Sequence, residues 1–403
     1  MSQYVGAEAA TWKEATGTIP DQEPTSDVAE SARYYRPELD CLRFIAFFYV
    51  FVRHVWQATE FGTADLSIPP ILVFMLQPVV ASGLYGVDVF FALSAFLITK
   101  LLLLERDRTG AVHVRSFYIR RILRIWPLYF AFVLLLMPYE VLFVGVKLKY
   151  YASLFTFTQN WYCSWNTVVE STLTLALWSV CVEEQFYLVW PFLIGFSKRL
   201  RNMGLLLCCV FAFTCLYRVY YISGPTPHAG SMWGNTFTRL DPFALGGLLA
   251  VLLHKRDLVC SRVIRYSALV LGLGIFWYLG TFPEAATFEK NPLWSYPMAA
   301  IASVLWVFAF ATAPKRSEYS RTFQGFSYLG KISYGLYVFH WPAMVLWLHL
   351  FSSFYGYPIT IFLARTTLGL LTTIAIAMVS YTWLEKPFLS LKQRFTYVPS
   401  RVD

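Results

Sequence analysis

Leu84-Tyr-Gly-Val-Asp88-Val-Phe-Phe-Ala-Leu-Ser94-Ala-Phe-Leu-Ile-Thr-Lys100-Leu-Leu-Leu103 holds one carboxylate and one ammonium in twenty residues, and the next segment, 104–124, holds six arginines. A helix needs about 20 mostly apolar residues to cross the hydrocarbon core of a bilayer, so the first segment can span it. The second has the Lys/Arg excess of a cytoplasmic connection. Similar runs lie near 44–60, 125–146, 177–196, 205–222, 239–254, 266–282, 294–312, 333–351 and 360–383. The fold expected is therefore all-α and integral to the membrane, about ten transmembrane helices in one bundle. The stretch 68–82, broken by Pro69, Pro70 and Pro78, reads as interfacial or re-entrant, and the aromatic run Tyr150 to Trp161 fits either reading.

Composition supports the same class. Of 403 residues, 57% are hydrophobic and only 14% charged, against about 25% charged in soluble domains, and the mean hydropathy is +0.51. A soluble globule, a disordered chain and a disulfide scaffold are excluded. The net charge of +9 falls in alternate connections, as at Lys198, Arg199 and Arg201, then Lys255, Arg256, Arg262 and Arg265, then Lys315, Arg316, Arg321 and Lys331. That alternation puts both termini in the cytoplasm and argues against a nucleic-acid-binding stripe. Residues 1–35 are expected as a disordered polar tail, 36–388 as the membrane domain and 389–403 as a cytoplasmic tail. The seven cysteines form no CxxC, so neither a disulfide framework nor a metal site is inferred.

Ionisable residues within spans cost about 2.5–3.5 kcal/mol each on insertion scales, which makes each a candidate for function. Arg43 and His54 are eleven residues apart, close to three turns and about 16 Å along a helix, so both project from one face. Asp40, one turn before Arg43, can pair with it. In Trp178-Ser179-Val-Cys-Val-Glu183-Glu184-Gln-Phe-Tyr187, the residues Ser179, Glu183 and Tyr187 share a stripe. Arg120, Arg121 and Arg124 cluster on what reads as a short amphipathic helix, serving either topology or a phosphate-bearing substrate. Asp88, Arg239, Asp241 and His340 are further buried polar candidates. Trp161, Tyr162, Trp165, Trp178 and Trp233 could stack on sugars or form an interfacial belt.

Seven segments in this order resemble the acyltransferase-3 family of integral-membrane O-acyltransferases: Arg36 through Arg43 with His54; Gly86-Val-Asp88 through Ser94; Phe117 through Tyr129; Trp178 through Tyr187; Arg239-Leu-Asp241; Ser333-Tyr334 through His340-Trp-Pro342; and Glu385-Lys-Pro387-Phe388. Ala95 and Val180 stand where the family usually has Gly and Leu. The resemblance implies transfer of an acyl group, commonly acetyl, from cytoplasmic acyl-CoA as co-substrate to a hydroxyl of a sugar in a glycan, glycolipid or glycoside. It also implies that Arg43 and His54 belong to the active centre. Family members with an extra extracytoplasmic domain exist; this chain is expected to hold the membrane module alone.

The mechanism expected is general-base catalysis by His54, with Glu183 or Asp88 orienting its second nitrogen and Arg43 or Arg239 facing the developing oxyanion. Arg120, Arg121, Arg124 and Tyr129 are the candidates for holding the donor, and Arg239, Asp241, Trp178 and His340 for the acceptor. A covalent acyl-histidine relay is the alternative chemistry. The competing class is a secondary transporter of an anionic sugar or acyl carrier, although no matched pair of broken spans marks two halves of the chain.

Overall fold

The computed structural model of the protein describes residues 34–57, 69–166, 170–171, 173–197, 199–224, 229–256, 258–282, 292–316, 318–351 and 358–399. The expected N-terminal tail, apart from Tyr34 and Tyr35, lies outside the described residues. All regular structure among the described residues is helical.

Helix α1 covers Pro37–Gln57, with proline at its first position and Glu38 and Asp40 in its first turn. Both features suit an N-terminus, where the missing proline N–H leaves no bond unmade and the helix dipole favours carboxylates. Helix α2, Pro70–Ala81, runs through a 3₁₀ turn, Ser82–Tyr85, into α3, Gly86–Thr109. The prolines at 69 and 70 thus start a helix instead of breaking one, and residues 71–109 form one apolar stretch of 39 residues. Gly110, at φ +79°, closes α3 by donating its N–H to the Arg106 carbonyl; at that φ any side chain would be strained.

Helix α4, Val114–Tyr139, extends through a π turn, Glu140–Val144. The expected separate amphipathic helix is absent here: Arg120, Arg121 and Arg124 ride on the first turns of the long helix itself, because nothing between Val114 and Trp126 interrupts it. The aromatic run forms two short helices, α5 (Leu148–Phe155) and α6 (Gln159–Asn166). Then come α7 (Trp178–Phe196), α8 (Leu200–Ile222), α9 (Ala229–Gly234) and α10 (Asp241–Leu252). The last third holds α11 (Arg262–Gly280), α12 (Pro292–Ala311), α13 (Arg321–Lys331), α14 (Ser333–Leu350), α15 (Pro358–Ser380) and α16 (Lys386–Lys392).

A helix lies in each of the ten expected stretches, but among the described residues six are long and apolar enough to cross a membrane by length and composition: Ile71–Thr109, Val114–Val144, Leu200–Ile222, Arg262–Gly280, Pro292–Ala311 and Ile359–Phe395. Helix α10 is apolar but short. Helices α1, α7 and α14 have the length, yet carry Arg43, Arg53, Glu183, Glu184 and His340. Lipid-type surface is plain on α8, α11 and α15, where Leu205, Leu216, Val263, Val270, Leu363 and Leu371 are exposed.

Close approach needs small residues where lipid offers no hydrophobic drive. A Cβ on Gly246 would lie 2.2 Å from the Ala92 carbonyl oxygen, so α10 sits directly on the α3 backbone. A Cβ on Gly330 would meet the Asp40 carbonyl at 1.8 Å, which fixes the Asp40–Arg43 turn of α1 against α13. Residues 36–397 form one compact unit; Tyr34, Tyr35, Val398 and Pro399 belong to a second, in which the Tyr34 N–H donates to the Pro399 carbonyl at 3.0 Å.

Candidate active site

Side chains from α1, α3, α4, α7 and α14 line an open cavity of about 100 Å³. Arg43, Arg121, Arg124 and Glu183 supply its charges, and Ser94, Ser179, Tyr187, Tyr334 and Tyr337 its hydroxyls. Helical spacing explains the selection. Arg121 and Arg124, three apart, share one face of α4, and Ser179, Glu183 and Tyr187, four apart, share one face of α7.

The cations in this cavity are unusual for a membrane interior. Arg43 is paired with Asp40 at 2.5 Å. Arg121 and Arg124 have no ion-pair partner within 4.0 Å among the described residues. The Arg121 Nε is buried without a hydrogen bond, and its guanidinium instead lies over the rings of Phe117 and Tyr187, at 5.5 and 5.6 Å. Glu183 shares the cavity wall with Ser94 and Tyr187, whose hydroxyls are 2.8 Å apart. The adjacent Glu184 turns away and accepts from Trp126 Nε1 at 3.1 Å.

Arg120 and Tyr129 are not in the cavity. One residue from Arg121 is about 100° around the helix, and Arg120 there pairs with Glu105 at 2.7 Å and donates to the Phe395 carbonyl at 2.7 Å. It clamps α4 to α3 and to the turn after α16. Tyr129 is fully buried, donating to the Leu154 carbonyl at 3.0 Å.

His54 lies outside the cavity lining and meets neither Glu183 nor Asp88. Its Nδ1 is 2.8 Å from Nε2 of His340, whose own Nδ1 is 2.6 Å from the Tyr337 carbonyl. His340 is wholly buried with both ring nitrogens engaged, so it is not placed to contact a sugar. The edge of Trp341 closes on the His54 ring, 4.7 Å between centroids and perpendicular. No hydrogen bond among the described residues engages His54 Nε2. This imidazole pair was hidden from sequence reasoning because 286 residues separate its members. The available signal was that Tyr337 and His340 share a helical face.

The other candidates form a sealed group. Asp88 accepts from Arg239 at 2.8 Å, and Asp241 accepts from Arg218. All four are at most 1% exposed. The Arg239 guanidinium packs over Trp233 at 4.1 Å, Tyr296 at 4.6 Å and Trp178 at 5.9 Å. Asp88 and Arg239 therefore neutralise each other and reach neither His54 nor the cavity, and the Trp178 and Trp233 faces meet a guanidinium where a sugar was one expectation.

Comparison with known proteins agrees with the sequence reading. The family described as an acyltransferase domain matches residues 36–382. The peptidoglycan O-acetyltransferase OatA of Listeria monocytogenes is 29% identical over 336 residues, 78% of this chain and 50% of that protein. The O-acetyltransferase OatA of Staphylococcus aureus strain NCTC 8325 is 26% identical over 366 residues, 84% of this chain and 58% of its own length. The chain thus spans about half the length of the curated relatives it matches. No solved structure matches.

Proposed function

The chain belongs to the acyltransferase family, and from that premise we propose that it is a multi-pass O-acetyltransferase of the cell membrane. It takes acetyl from cytoplasmic acetyl-CoA and delivers it to a sugar hydroxyl. The name of the Listeria relative points to a cell-wall glycan as the acceptor class. The observation that carries the donor assignment is the pair Arg121 and Arg124, two guanidinium groups in a membrane cavity without ion-pair partners. Against three guanidinium groups the cavity lining carries one carboxylate, Glu183, so positive charge is in excess, and a phosphate ester balances it through paired N–H···O bonds.

In this reading Arg121 and Arg124 hold the phosphates, with Arg43, already tethered by Asp40, completing the ring of cations. His54 Nε2 takes the proton from the acceptor hydroxyl. The hydroxyl oxygen bonds to the acyl carbon, the carbon–sulfur bond breaks, and the departing thiolate takes the proton from the imidazolium. His54 lies beyond the cavity lining, joined to it through His340 and Tyr337, which suits a base that meets an acceptor arriving from the other side. Glu183, with the Ser94 and Tyr187 hydroxyls, holds the wall opposite Arg121 in place.

The test is release of CoA thiol by the detergent-purified full chain given acetyl-CoA and solubilised cell-wall glycan. Acceptor-dependent release is expected, and His54→Ala should cut it by roughly 10²–10⁴-fold. Uptake of glycan precursor by proteoliposomes without thiol release would favour a transporter, and full turnover by His54→Ala would remove the base.

A further inference from the structure

We infer that His340 is a positioning residue that fixes His54 in one tautomer, proton on Nδ1 and lone pair on Nε2. The inference rests on the reading of His54 as the base. It follows from counting protons along three groups. A backbone carbonyl only accepts, so the 2.6 Å contact between His340 Nδ1 and the Tyr337 oxygen requires a proton on His340 Nδ1. A neutral imidazole carries one N–H, so His340 Nε2 must then be an acceptor. The 2.8 Å contact to His54 is therefore made by the His54 Nδ1–H, and the lone pair of His54 falls on Nε2, the nitrogen that no other group among the described residues engages.

The geometry fits a directed bond. The two rings are 6° from parallel with centroids 5.1 Å apart, the arrangement of rings meeting edge to edge in one plane. Phe47 sets its edge on His340 at 6.0 Å and 84°, and Trp341 closes on His54, so neither ring is able to turn freely. His340 is completely buried and no carboxylate lies within ion-pair distance of it among the described residues, which leaves a doubly protonated His340 uncompensated. The logic is that of an acid–base triad in which a third group sets the tautomer of the base, here with a peptide carbonyl and a second imidazole in place of a carboxylate. Glu183 and Asp88, the carboxylates that sequence offered for this task, are engaged elsewhere.

The experiment uses the full chain labelled with ¹⁵N-histidine in detergent, with the His54 signals assigned by their loss in His54→Ala. The unaltered protein should show His54 Nδ1 protonated and Nε2 unprotonated. His340→Leu should abolish that preference and lower kcat for thiol release about 100-fold, with KM for acetyl-CoA unchanged. His340→Gln, whose amide oxygen can accept where Nε2 did, should restore both the tautomer and most of kcat, a rescue that packing alone would not give. A proton on His54 Nε2 in the unaltered protein, or a His340→Leu variant within twofold of normal kcat, overturns the inference. Should His340→Leu not fold, the tautomer of the unaltered protein and the Gln variant decide the matter. Should His54→Ala keep full turnover, the base reading fails while the spectrum still settles the tautomer.

Discussion

Arg121 and Arg124 face an open cavity with no ion-pair partner among the described residues, whereas Arg218 and Arg239 are sealed, each on its own aspartate. All four are guanidinium groups on helices of one membrane bundle, and insertion scales weigh them alike. What separates them is pairing. A sealed neutral pair holds helices together, here α3 with the start of α10 and α8 with α10, and its charge is already balanced, although Arg239 Nε and Nη1, Arg218 Nη1 and Asp241 Oδ1 make no hydrogen bond among the described residues. An open, unpaired pair leaves its hydrogen-bonding capacity for something that arrives.

The sharpest way to break this contrast is at the sealed group. Arg239→Met strands the Asp88 carboxylate in a dry site, and removing one partner of a buried pair costs about 3–5 kcal/mol. Thermal unfolding in detergent should show that loss, while KM for acetyl-CoA of the folded fraction stays put. Pairing the change with Asp88→Leu should recover much of the stability, since an apolar pair of similar volume replaces an ion pair at little cost. A stable Arg239→Met with a raised donor KM would move Arg239 into the binding site instead.

The contrast was only partly legible beforehand. Run length and charge alternation locate every long helix, because crossing a bilayer demands about 20 apolar residues whatever the partners. Helical spacing could also have set Arg120 apart from Arg121 and Arg124, since neighbours in sequence point about 100° apart on a helix. It does not say that Glu105 and the Phe395 carbonyl wait on the far side. Asp88 with Arg239, and His54 with His340, are contacts between helices distant in sequence, and no local spacing encodes them. The prolines at 69 and 70 misled for a different reason: proline breaks a helix interior but is well placed at its first turn.

The smallest expected effect lies outside the bundle. Burial alone would push the Glu170 carboxyl up, but the Tyr162 hydroxyl and the ammonium and backbone N–H of Lys147 outweigh it, leaving Glu170 below the usual carboxylate value. Lys147 meets it at 2.9 Å and is itself exposed. A carboxylate with a lowered pKa in the folded state adds stability that is complete above its unfolded value and is lost as pH falls through the folded one. Glu170→Gln should therefore cost no more than about 1 kcal/mol at neutral pH and flatten the acid limb of the unfolding curve. A loss as large as that of Arg239→Met would mean that a pair with one exposed partner and a fully sealed pair do not differ as argued here.

The most direct test of the unpaired cations is equilibrium binding of acetyl-CoA to the purified full chain by titration calorimetry. Two charge-assisted contacts at about 1.5 kcal/mol each predict that Arg121→Ala with Arg124→Ala weakens binding roughly 100-fold, while Arg120→Ala stays within twofold. Unchanged binding in the double variant, or an equal loss in Arg120→Ala, would contradict the assignment of this cavity to the donor.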